Sequence, residues 1–109
     1  MNVIITKSEG HVLVNVEGRV DTTNASEFEK AMMTVVEDGT TKIVLDCSAL
    51  NYISSSGLRV FLIVQKKMMA AKGQFCLCSL QPGIKEIFDI SGFSSIFTLF
   101  PDKDSAIKG

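Results

Sequence analysis

The stretch Lys42-Ile43-Val44-Leu45-Asp46-Cys47-Ser48-Ala49-Leu50-Asn51-Tyr52-Ile53-Ser54-Ser55-Ser56-Gly57-Leu58 decides the fold. It opens on a largely apolar run of strand length, the pattern of a strand covered on both faces. A loop read from Ser48 to Ser56 then leads into a helix read from Leu58 to Ala71, whose polar residues are confined to Arg59, Gln65, Lys66 and Lys67. The apolar coverage of that helix is broader than a surface helix requires. Lys72-Gly73 stops it, and Gln74-Phe75-Cys76-Leu77-Cys78 reads as the next buried strand. Strand, helix and strand in this order make a right-handed crossover between parallel strands.

Toward the N-terminus, Val3-Ile4-Ile5-Thr6 and Val12-Leu13-Val14-Asn15-Val16 are β-rich runs separated by a turn containing Gly10, so an antiparallel hairpin opens the chain, its second strand ending at Gly18. Ala25, Phe28, Met32, Val35 and Val36 then recur at helical spacing, and Asp38-Gly39 punctuates the end of that amphipathic helix. Toward the C-terminus, Pro82 opens a helix with Ile84, Ile87 and Phe88 on one side, which closes at Gly92 with Phe93 packed back on its last turn. A short apolar run, Ile96 to Phe100, and a weak helix containing Ala106 and Ile107 finish the chain. The expected fold class is α/β: one domain over residues 1–109, with a mixed, mainly parallel sheet of about four to five strands and three to four helices. In such sheets function gathers at the carboxyl ends of the parallel strands, which places it in the loop from Ser48 to Ser56.

Composition narrows the function. A net charge of −1, with both signs dispersed, supplies no basic stripe for a phosphate backbone, so nucleic acid is not an expected partner. No apolar run is long enough to cross a bilayer and Met1 to Thr6 has no leader pattern, so a soluble, cytoplasmic protein without direct membrane contact is expected. The three cysteines, Cys47, Cys76 and Cys78, are odd in number and sit in apolar strands, which suits reduced core thiols. With the single histidine, His11, they lack the spacing of a structural zinc site, and no metal or cofactor is expected.

Ser54-Ser55-Ser56-Gly57 joins a buried strand to a helix N-terminus, where backbone amides point outward and negative charge is favoured. A phosphate on Ser56 would be accepted there without unfolding the domain. Serine is also a favoured N-cap, and a run of serines before a helix serves as capping chemistry alone. A nucleophile elbow is absent, since Tyr52 stands where its first glycine belongs, and His11 would be a lone base in the opening hairpin. No lysine-bearing glycine loop for nucleotide phosphates is present.

The order of elements and two motifs resemble the STAS family, which includes the bacterial anti-sigma-factor antagonists, over nearly the whole chain. The first motif is Gly18-Arg19-Val20-Asp21-Thr22-Thr23-Asn24-Ala25; the second runs from Leu45-Asp46 through Tyr52-Ile53-Ser54-Ser55-Ser56-Gly57-Leu58. The resemblance implies a non-enzymatic binding module that engages an anti-sigma factor serine kinase when unphosphorylated, so freeing the sigma factor. It implies a phosphorylation site at the hydroxyl before the glycine, Ser56, with Ser55 second, and a PP2C-type phosphatase that reverses the modification. It also implies partner contacts by Asp21, Asn24, Ser54, Ser55, Gly57, Leu58 and Arg59. A second implication is a STAS subunit that regulates the ATPase of a lipid-transport ABC system without being phosphorylated. The sequence departs from the family at Ser54, where relatives commonly carry an acid. From the residues themselves, Asp21 reads equally as a cap or Asx-turn into the first helix, Asn24 as a local hydrogen-bonding residue, Leu58 as core and Arg59 as a solvated arginine.

Overall fold

Alternating valines build the centre of the molecule, and the computed structural model describes all residues from 1 to 109. Strand β1 (Asn2–Ser8) pairs antiparallel with β2 (His11–Val20), whose Val12, Val14 and Val16 face the core. Helix α1 (Ala25–Glu37) buries Ala25, Phe28, Met32 and Val35, the spacing read from the sequence. Strand β3 (Lys42–Asp46) runs parallel to the first half of β2, and a short strand β4 (Leu50–Ile53) runs parallel to its last three residues. Helix α2 (Ser55–Ala70) leads to β5 (Gln74–Cys78), parallel to β3; α3 (Pro82–Ser91) and a 3-10 turn at Phe93–Ser95 lead to β6 (Thr98–Phe100), parallel to β5. Helix α4 (Lys103–Lys108) ends the chain. The sheet order is β1-β2-β3-β5-β6, with β4 added on β2.

The α/β class and the mixed, mainly parallel sheet expected from the sequence are present, with four α-helices, but the sheet has six strands rather than four or five. The additional strand is β4, inside the segment read as loop. Its pattern hides it: Asn51 and Tyr52 are exposed between buried Leu50 and Ile53. Gly18 does not end β2. It adopts φ +89° within the strand and donates its amide to Ala49 O at 2.8 Å, so the strand bends and continues to Val20 against β4, with a bulge between Gly18 and Arg19. The last strand is shorter than the apolar run, and Ile96 and Ile87 are exposed where the sequence put Ile87 on the buried side of α3.

Two layers of core follow. One face of the sheet carries α1, α2 and α3, with Phe61 of α2 as the hub: its ring lies 5.8 Å from Phe28 of α1, 6.3 Å from Phe88 of α3 and 6.2 Å from Phe97. The other face is covered by α4, where Ala106 meets Val44, Cys76 and Cys78. Phe93 returns onto Phe88 at 6.1 Å, as its place after Gly92 implied. All three thiols are free and buried, and burial pushes Cys47 well above its ordinary range and Cys78 up to about 11. No helix is long and apolar enough to cross a membrane.

Candidate functional site

The site lies where β2 and β4 end side by side. Tyr52 and Ile53 stand opposite Arg19 and Val20, and the Ser54 amide donates to Val20 O at 2.8 Å. This single backbone bond brings the two sequence motifs together: Asp21 follows Val20, and Ser55 follows Ser54. The residues expected from the sequence therefore gather at one edge, although Asp21 and Ser56 are separated by more than thirty positions.

Helix α2 begins at Ser55, three residues earlier than the apolar pattern indicated. Its start is fixed by Ser54, whose backbone is extended and whose Oγ accepts from the Gly57 amide at 3.2 Å. Ser54 thus performs the capping role. Ser55 and Ser56 occupy the first helical turn, whose leading amides have no acceptor within the helix. Ser55 is exposed and Ser56 partly so; of the three serines, Ser54 alone spends its hydroxyl on a bond inside the chain.

Gly57 is buried and has a packing reason to be glycine. A Cβ there would lie 2.7 Å from Ile53 Cγ1 and 2.8 Å from Val20 Cγ1, both closer than side chains tolerate. The absent side chain lets α2 descend onto the ends of β2 and β4, with Phe61 one turn later locking the approach. Leu58 is half-buried and packs against the main core, whereas Arg59 is exposed.

The other half of the site is a folded turn. The Asp21 carboxylate accepts from the Thr23 amide at 3.0 Å and the Thr23 hydroxyl at 2.6 Å, the Asx-turn geometry anticipated from its residue type. These bonds, the hydroxyl first, hold its carboxyl below the ordinary range, and Arg19 Nε stands 3.9 Å away. Asn24 stands at the N-cap position of α1, just before Ala25, without a capping bond from its side chain. Its Oδ1 instead accepts from the Asp21 amide at 2.9 Å, and its Nδ2 donates to Arg19 O at 2.9 Å, so it ties the end of β2 to the helix that follows. Arg19 also lies over the Tyr52 ring, 4.2 Å from its centroid. Arg19 and Tyr52 carry no functional reading in the sequence; their pairing depends on β4, which the sequence concealed.

Beneath the edge, Asp46 is buried at 8% exposure and fully engaged: Oδ2 accepts from Asn15 Nδ2 and Oδ1 from the Ser48 amide, each at 3.0 Å. It fixes the turn from β3 into β4. Gln81 closes the same edge by donating to Ser48 O at 3.0 Å. His11 is at the opposite end of the ten-residue β2, on the order of 30 Å along the strand from Val20.

This fold and site define a STAS domain: the family model described as "STAS domain" matches residues 2–106, and the chain belongs to that family. It is 38% identical over 106 residues to a protein assigned as an anti-sigma factor antagonist, BtrV of Bordetella bronchiseptica, covering 97% of this chain and 91% of that one. An anti-sigma factor antagonist from Mycobacterium paratuberculosis superimposes with a TM-score of 0.89 at 26% identity, over 98% of this chain and 91% of that chain. SpoIIAA, determined in its unphosphorylated form and in a phosphorylated form from Bacillus, shares the fold. The TM-scores are 0.75 and 0.74 at 16% and 18% identity, over 95% of this chain and 92% and 96% of those chains.

Proposed function

We propose that this protein is an anti-sigma factor antagonist that works by partner switching, with Ser56 as its phosphoacceptor. The observation that carries the reading is the position of Ser56. It stands in the first turn of α2 with its hydroxyl not committed inside the chain, at the edge where Asp21 is brought in by the bond from Ser54 to Val20. Adding about −1.5 to −2 charges there changes the surface without disturbing a buried contact. The chain's likeness to proteins bearing the antagonist name supports the same conclusion.

In this reading the unphosphorylated edge docks on a serine kinase that is itself the anti-sigma factor, and the sigma factor is released. Phosphorylation adds about −1.5 to −2 charges to the docking contact, and their desolvation cost breaks the complex. A PP2C-type phosphatase restores the docking state. In this reading the protein supplies no catalytic group of its own, and its single histidine, His11, lies at the far end of β2 from the turn. Its place of action is the cytoplasm, where kinase and sigma factor operate.

The test is intact-mass analysis after incubation with ATP and the serine-kinase anti-sigma factor from the same genome. Wild type is expected to gain one phosphate and Ser56→Ala none. An undiminished gain on Ser56→Ala, or no gain on wild type, overturns the assignment. Copurification with a transporter ATPase in place of a kinase would favour the ABC-subunit reading instead.

A further inference from the structure

Arg59 has no explanation in the fold. It is exposed on α2, and the molecule's three ion pairs join Lys7 to Asp38, Arg19 to Asp21 and Lys85 to Asp89, none of them using it. Its position is also unfavourable, because a cation near a helix N-terminus opposes the helix dipole, and α2 has no acidic residue in its first turn to offset it. Arg59 follows Ser56 by three positions and Ser55 by four on α2, and side chains on a helix lean toward the N-terminus and cover the preceding turn, the turn that carries these two serines. Residues three and four apart are neighbours on a helix surface, which puts Arg59 beside both hydroxyls.

We infer that Arg59 is the intramolecular receptor for the phosphate on this turn, pairing with phosphoserine at position 56 across one helical turn. The inference rests on the phosphoacceptor reading of Ser56. In the unphosphorylated protein the guanidinium is an uncompensated cation; in the phosphorylated protein it donates charge-assisted hydrogen bonds to phosphate oxygens. The pair is formed only after modification, so it stabilises the phosphorylated state selectively.

Phosphoserine installed at position 56 during translation makes the test independent of any kinase. Its second ionisation, with an ordinary pKa near 6, is followed by phosphorus NMR in the full-length protein. Arg59→Gln is expected to raise that pKa by about 0.3 unit or more over the otherwise unchanged phosphoprotein. Arg59→Lys should recover part of the difference. Lys66→Gln, which removes the same charge further along the helix, should leave it nearly unmoved. Equal values with arginine and glutamine at 59, or an equal shift from Lys66→Gln, overturns the pairing. Failure of the kinase to modify Ser56 overturns the functional reading instead and leaves the NMR result to stand by itself.

Discussion

Gly57 sits so close to Ile53 that one added methyl would fall 2.7 Å from Ile53 Cγ1. The turn carrying the candidate phosphoacceptor is therefore held by contact from below as well as by its cap from above.

Gly57→Ala is expected to cost about 1–3 kcal/mol, the usual penalty for forcing a group into a packed site, despite alanine's better helix propensity. Urea denaturation of wild type and variant checks it. A gain in stability would mean that α2 can lift off β2 and β4 freely.

Ser54 and Ser56 should separate cleanly in their effects. Ser54→Ala removes the cap to the Gly57 amide and should lose about 0.5–2 kcal/mol. Ser56→Ala breaks no bond inside the chain and should stay within about 0.5 kcal/mol of wild type while abolishing phosphorylation. Equal stability losses in parallel melts would show Ser56 to be part of the cap.

Acid should weaken the fold through its aspartates. Asp21 is held below its ordinary pKa by Thr23, Asp89 by Lys85 and Ser94, and Asp102 by Ser105. A carboxyl with a depressed folded-state pKa contributes stability above its unfolded pKa and loses it as pH falls through the folded one. Stability should accordingly be level near neutrality and decline below about pH 4. Asp21→Asn should make that decline shallower, measured as urea midpoints at successive pH values; an unchanged slope would show that the Thr23 bonds bring no proton linkage.

The parts of the fold legible in the sequence were those with a repeating apolar pattern. The spacing of Phe28, Met32 and Val35 gave α1, and the apolar runs gave β3 and β5. Strand β4 escaped because it is four residues long and half exposed, and its pairing with β2 is a long-range contact that leaves no local trace. The extra length of β2 escaped for the same reason, since Gly18 reads as a terminator unless β4 is known to continue beside it. At the site, Asp21 and Asn24 were recognisable as local hydrogen-bonding residues, but Asn24 bonds backward to Arg19 instead of capping α1. The start of α2 was misplaced because polar serines interrupt the apolar pattern where the cap, not the periodicity, sets the boundary.

The bond from the Ser54 amide to Val20 O has a bearing on quality control. A linear peptide containing Ile53 to Leu58 has the letters of the acceptor turn but neither Val20 nor Asp21 beside it. An enzyme that reads the assembled edge is blind to an unfinished or damaged chain, so under the proposed reading of Ser56 as phosphoacceptor a signal passed through it would also certify that the messenger is intact.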